Sequence, residues 1–266
     1  MNGMDAEPGT MRVGLMAVEV YADPKSMGVA AARAAAASMK QLAANHEWFA
    51  VVFATGASQL GTLDALTQMK DLPWSQVCGF HLDEYAGLPI EHPASFRGYL
   101  RKNLIEKVTM KHFYEIDGTS NDPEQTCRIY AGRLRSAGPQ LCLLGIGENG
   151  HLAFMDPGIA DFDDPLDVKM VKLDAACRAQ QVAEGWFDRQ QDVPGRAISQ
   201  TIPAILRVPK LIVSVPGSRK AKIVRRTLEE PISTRCPATI LRNHPDVTVY
   251  LDRDSAAELA GVIPAS

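Results

Sequence analysis

Short, unbroken apolar runs alternate along this chain with longer segments whose apolar residues recur every third or fourth position. "WFAVVFA", "QVCGFHL", "QLCLLGIG", "KLIVSVPG" and "DVTVYLD" are of the first kind and predict strands. "SQLGTLDALTQM", "PEQTCRIYAGRLRSAG" and "SRKAKIVRRTLEE" have helical periodicity, as does "ASFRGYLRKNLIEKV" through Phe96, Tyr99, Leu100, Leu104 and Val108. The Ala-rich "AAARAAAASMKQLAANH" predicts a long helix, with Asp23 as its N-cap and Pro24 at its first position. Strands without a polar face, separated by amphipathic helices, predict an α/β fold: a mostly parallel sheet with helices on both faces. Residues 158–200 break the pattern with "DFDDP" and "DRQQDVPG", and read as a lid or an excursion from the main sheet. The organisation expected is a flexible tail over residues 1–10 and a single domain over 11–266.

Composition narrows the class without changing this picture. The chain has 266 residues, 46% of them hydrophobic and 22% charged, enough to bury a sizeable core without a disulfide or structural metal. A net charge of -3 without a basic cluster argues against nucleic acid as a partner. No apolar run has the length of a membrane span, and "MNGMDAEPGT" is not a signal peptide. Cys78, Cys127, Cys142, Cys177 and Cys236 are scattered and odd in number, which fits a reducing cytoplasm better than a disulfide framework.

In an open parallel sheet, ligands bind beyond the carboxyl ends of the strands. Four loops should meet there. "TGAS", residues 55–58, and "PGSRK", residues 216–220, precede helices, where small residues and free N–H groups suit an anion. Lys220 falls in a first helical turn, which makes better sense beside a bound anion. "DEY" brings the acids Asp83 and Glu84, one of which could serve as a base. "GIGENGHLAFMDP" brings Glu148, Asn149, His151 and Asp156, with an imidazole suited to proton transfer. Read singly, these are also what ordinary βα turns, caps and solvated acids look like. Read together, they suit a small phosphorylated substrate undergoing proton transfer. A metal site built from His81, Asp83, Glu84 and His151 has no supporting ligand spacing, so no metal is expected.

The segments "FATGASQLGTLDAL", "FHLDEYAGLPIEHPASFRGYLRKNL", "LLGIGENGHLAFMDP", "LDAACRAQQVAEGWF", "VPGSRKAKIV" and "ILRNHPDVTVYLD" resemble, in order, those of the glucosamine-6-phosphate deaminase and 6-phosphogluconolactonase superfamily. "DEYAGLP" and "GHLAFMDP" lean toward its deaminase branch. The resemblance implies a Rossmann-like fold, no cofactor, and an amino-sugar 6-phosphate isomerised and deaminated to a ketose 6-phosphate and ammonia. It implies Asp83 as the base moving a proton between C2 and C1, with Glu84 beside it. It implies His151 as the acid/base that opens the sugar ring, flanked by Asn149 and Asp156. Thr55, Gly56, Ala57, Ser58, Gly147, Arg178 and Lys220 are implied to surround the substrate, Arg178 on the resemblance alone. The family includes monomers and hexamers, which leaves a homo-oligomer open.

Two of these loops depart from the family's pattern. Deaminases of this branch carry Asp-Gly-His followed by a glutamate, where this chain has Asn149-Gly150-His151 and Asp156. Asn149 can accept a hydrogen bond from the imidazole but cannot offer charge to an imidazolium. Glu148 could supply that charge. "TGAS" stands for the usual TGGT, harmless if Ala57 has negative φ and obstructive if not. Two other readings therefore remain beside the deaminase: a lactonase in which His151 activates water, and a sugar-phosphate-binding regulator that has lost catalysis.

Overall fold

The five apolar runs form five strands of one sheet in the computed structural model, which describes residues 9–183 and 185–259 apart from the side chain of Ala176. In chain order the strands and helices are β1 (Gly9–Val13), β2 (Met16–Tyr21), α1 (Pro24–Asn45), β3 (Phe49–Phe53), α2 (Ala57–Gln68), β4 (Val77–His81), β5 (Asp83–Tyr85), α3 (Phe96–Leu100), β6 (His112–Phe113) and α4 (Pro123–Ala137). There follow β7 (Leu141–Leu144), β8 (Val168–Lys172), α5 (Ala175–Ala183), β9 (Arg196–Gln200), α6 (Ile202–Leu206), β10 (Lys210–Val215), α7 (Ala221–Glu229) and β11 (Val247–Asp252). The main sheet runs β1-β2-β11-β10-β7-β3-β4-β6, and only the β1–β2 hairpin is antiparallel. This is the mostly parallel α/β sheet the apolar runs predict.

The period of two along each strand divides the core. Phe49, Val51 and Phe53 of β3 pack with Leu141, Leu143, Ile212 and residues of α1 and α2, such as Ala35 and Leu63. Ala50 and Val52 face the opposite way, with Cys142, Leu144, Leu211 and residues of α4 and α7, such as Tyr130 and Val224. Both faces are thus covered, which is why these strands carry no polar stripe. The α1 helix opens with a reciprocal cap between Asp23 and Ser26 and with Pro24 in its first turn. It lies close against α2, for a Cβ on Gly28 would stand 2.9 Å from the carbonyl carbon of Gly61. That approach fixes the start of α2, where one of the four loops sits.

Three expectations need correction. Gly9 and Thr10, expected in the tail, pair with Val20 and Glu19 in β1, covering the edge of β2; residues 1–8 lie outside the described residues. "DEY" is not a loop. It forms β5, which pairs antiparallel with β9, and β9 with β8, in a second sheet of three strands. Part of the irregular stretch 158–200 is therefore an excursion that builds this small sheet. Lastly, the helix expected over "ASFRGYLRKNLIEKV" is α3 alone, continued by a π turn over Arg101–Ile105. No helix among the described residues is long and apolar enough to cross a membrane.

His81, at the end of β4, is completely buried and accepts a hydrogen bond from the Ile116 N–H at Nε2, 2.8 Å. Burial lowers its pKa from 6.5 to about 3, so it stays neutral in the fold. A base whose folded pKa is depressed contributes stability above its unfolded pKa and loses it as pH falls toward the folded one. Between pH 6.5 and 5 that loss is about 2 kcal/mol. Plotted against pH, the unfolding free energies of the parent and of His81→Gln, which retains an acceptor, should differ in slope by about 1 kcal/mol per pH unit over this range. Asp83 and Glu84, whose carboxyls are pushed up, oppose the trend in both proteins and cancel in the comparison. Equal slopes would contradict a neutral buried histidine.

Candidate active site

Because β3, β4, β7 and β10 run parallel, their carboxyl ends share one rim. A cavity of about 330 Å³ opens there, lined by residues 54–58, 144–148 and 216–220 together with Asp83, His151 and Gln180. The four segments picked out in the sequence do meet, three as loops and "DEY" as β5.

Two of them are built alike. Gly56 has φ 91 and heads α2 without a side-chain cap, so this helix start opens at the cavity rim. Gly217 has φ 90 and heads the turn Ser218–Lys220 before α7. Only glycine enters this region without strain. Among the described residues, Asp71 and Ala153 are the non-glycines with positive φ, so Ala57 obstructs nothing. Tyr99 Oη donates to the Gly56 carbonyl at 2.9 Å, and the buried Asp252 accepts the Gly217 N–H at 2.9 and 3.1 Å, which pins both loops. Lys220 Nζ donates to the Ile146 carbonyl at 2.9 Å, placing its charge between them.

Arg178 is not brought to this cavity. The course of α5 directs its Nη2 to the Gln190 carbonyl at 2.6 Å. The arginine that lines the cavity is Arg219, whose Nη2 lies 2.6 Å from Glu148 Oε1 and whose Nη1 donates to the Ala183 carbonyl. Glu148 is thereby engaged with Arg219 and does not supply charge to His151.

The period of β5 separates the two acids. Asp83 faces the cavity, where burial first, and then the neighbouring Glu84, raises its carboxyl well above the usual range. Glu84 points the other way. It accepts from the N–H groups of Tyr85, Phe96 and Arg97 and from Ser95 Oγ, and its Oε2 lies 3.4 Å from Arg97 Nε. Expected among the catalytic residues with Asp83, Glu84 instead anchors the start of α3.

His151 is held by a carboxylate after all. Its Nδ1 lies 2.9 Å from Asp156 Oδ1, leaving Nε2 on the opposite side of the ring. Asn149 does not accept from the imidazole, as its position beside the histidine suggested. Its Oδ1 accepts the backbone N–H of His151 at 3.0 Å, closing the loop, and its Nδ2 donates to Asp156 Oδ1 at 2.7 Å. Burial opposes charge on Asp156, yet the bonds from His151 and Asn149 prevail and hold its carboxyl below the usual range. Asp156 therefore presents a fixed negative charge to the imidazole, and the amide orients the carboxylate.

Gly147 explains the third fixed side of the ring. A Cβ there would stand 2.2 Å from Cε1 and Nε2 of His151. The Gly147→Ala variant should lose about 100-fold in kcat through displacement of the imidazole, with its melting temperature nearly unchanged. An unaltered kcat would show that the ring is not confined by this contact.

Gln180, Gln181, Phe96, Phe154 and Trp186 also line the cavity and escape the sequence reading. Gln181 accepts from Tyr85 Oη at 2.8 Å and Gln180 from the Glu148 N–H at 3.2 Å, so the excursion after β8 closes one wall. An indole in the polar stretch around Trp186 was the available signal. The four residues considered for a metal do not converge, since Glu84 and His81 are committed elsewhere.

The model of the family described as glucosamine-6-phosphate isomerases/6-phosphogluconolactonase matches residues 22–250. A glucosamine-6-phosphate deaminase of Exiguobacterium sibiricum is 36% identical over 225 residues, 84% of this chain and 86% of the relative. One of Bacillus thuringiensis is 35% identical over 202 residues, 76% of this chain and 75% of the relative. The solved structure of a monomeric glucosamine-6-phosphate deaminase superposes with a TM-score of 0.84 at 30% identity, over 93% of this chain and 100% of that one. A 6-phosphogluconolactonase from Thermotoga maritima shares the fold, with a TM-score of 0.72 at 18% identity over 89% of this chain and 99% of that one.

Proposed function

The chain belongs to the family of glucosamine-6-phosphate isomerases and 6-phosphogluconolactonases, and from that premise we propose that it is an amino-sugar-6-phosphate isomerase/deaminase. The observation that carries this reading is the pairing, across one cavity, of a buried carboxylate with a carboxylate-held imidazole, beside two uncapped helix starts.

The phosphate of the substrate sits on the N–H groups after Gly56 and Gly217, with Thr55, Ser58 and Lys220 adding donors. Binding energy gathered there, remote from the reacting carbons, orients them. His151 exchanges a proton with the ring oxygen and opens the sugar; Asp156 stabilises the imidazolium that forms. Asp83 then takes the proton from C2 and returns it at C1, while O1 gains the proton that the amine gives up. The amine-bearing carbon becomes an imine, which water hydrolyses to a ketose 6-phosphate and ammonia. Partial exclusion of water around Asp83 raises its basicity for this step.

The regulator reading loses its motive, because it rested on a neutral amide orienting His151. For the lactonase reading, the similar solved lactonases support only the shared fold. The test is a panel of hexosamine 6-phosphates and 6-phosphogluconolactone, assayed for ammonia and for lactone hydrolysis. Ammonia release that depends on Asp83 and His151 is expected. Lactone hydrolysis alone would replace this reading with the other.

A further inference from the structure

His151 and Asp156 have a third neighbour that the proposed chemistry leaves unused. Cys177, in α5, is completely buried. Its Sγ, a ring nitrogen of His151 and a carboxylate oxygen of Asp156 all lie within 4.8 Å of one another. Asp156 is itself fully buried, and although Oδ1 takes two partners, Oδ2 has no N–H or O–H partner among the described residues. The Cys177 thiol is itself in hydrogen-bonding contact with this carboxylate, so the sulfur already faces the oxygens a metal would use.

The donors are of one chemical kind. Thiolate, imidazole and carboxylate are the ligands of a borderline-soft divalent ion, and three of them with an open fourth position make a tetrahedral Zn²⁺ site. Donor atoms in such a site stand roughly 3–4 Å apart, so modest side-chain rotation completes the geometry. Burial first, and then the nearby carboxylates, above all Asp156, push the Cys177 thiol up. Their field disfavours a lone thiolate and favours a bound dication. His151 lines the cavity, which provides the entry route.

We infer that His151, Asp156 and Cys177 form a Zn²⁺ site that switches the catalytic histidine off. The metal takes the place of the proton between Nδ1 and Asp156, which moves to Nε2 so that the ring stays neutral, and displaces the thiol proton to solvent. While ligated at Nδ1, His151 carries its one proton on Nε2 and cannot accept another there from the substrate. The inhibitory consequence rests on the deaminase reading; the site itself does not.

The experiment separates the two. Co²⁺ titrated into the metal-free full chain should produce a thiolate-to-cobalt charge-transfer band in the near ultraviolet, and Zn²⁺ should abolish it. The band should vanish in Cys177→Ala and Cys177→Ser, and the apparent Kd for Zn²⁺ should rise by about 100-fold or more. In the parent, ammonia release should fall as Zn²⁺ fills the site and return on chelation. A parent that binds metal in this way yet never releases ammonia retains the site and loses the proposed function. No thiolate band in the parent, or the same band in both Cys177 variants, overturns the inference.

Discussion

Asparagine in place of Asp83 is expected to lower kcat for ammonia release by about 10³–10⁴-fold, the upper range for loss of a positioned base. The KM for the sugar phosphate should change only a few-fold, because the phosphate loops lie on other strands, with Gly56 ahead of α2 and Gly217 ahead of α7. The same residue should set the acid side of the pH profile. Asp83 works as a base only when ionised, and burial with the adjacent Glu84 raises its carboxyl. Activity should therefore rise with pH, with a midpoint above the ordinary carboxylate range, as read from kcat/KM of the free enzyme. In Asp83→Asn this limb should disappear from the residual rate. A limb that persists unshifted would assign it to another group. Hydrogen exchange at C2 of the substrate, followed in deuterated water, should vanish with the same substitution.

The second large effect concerns Asp156. The Asp156→Asn variant keeps the size of the side chain but removes the charge and the certainty of the tautomer at His151 Nδ1. Amide replacement of the orienting carboxylate in a serine-protease triad costs about 10⁴-fold, and a loss of that order is expected here. Asn149→Asp should behave differently. It would set a carboxylate where the amide now donates to Asp156 Oδ1 at 2.7 Å, and two carboxylates at that distance must share a proton. Restoring the acid of the family pattern should thus change kcat by less than about tenfold. A gain of several orders of magnitude would mean that Asp156 does not do the orienting.

The sheet was legible because its strands are apolar on both faces and its helices amphipathic. The common rim followed from parallel pairing alone. What escaped was decided by where side chains point. "DEY" reads as a solvated turn because paired acids rarely enter a buried strand; pairing of Asp83 with Ser199 makes it one, and the pleat then sends Glu84 to α3. Asn149 stands two residues before His151 in sequence, yet its carbonyl oxygen meets the backbone N–H and not the ring. No local pattern distinguishes these. Arg178 and Arg219 changed places for the same reason, through the course of α5 and of the turn before α7. Gln180, Gln181 and Trp186 reach the cavity from a stretch without periodicity, positioned by an antiparallel excursion that only long-range pairing reveals.

If Asp156 equips His151 for catalysis, the amide at position 149 should be no obstacle. Turnover of glucosamine 6-phosphate by the unaltered chain, set beside that of Asn149→Asp, tests it directly. Ammonia release at an ordinary enzymatic rate, about 1–10³ s⁻¹, with no large gain in the variant, is the predicted result. An inert parent whose activity appears only in Asn149→Asp would contradict it.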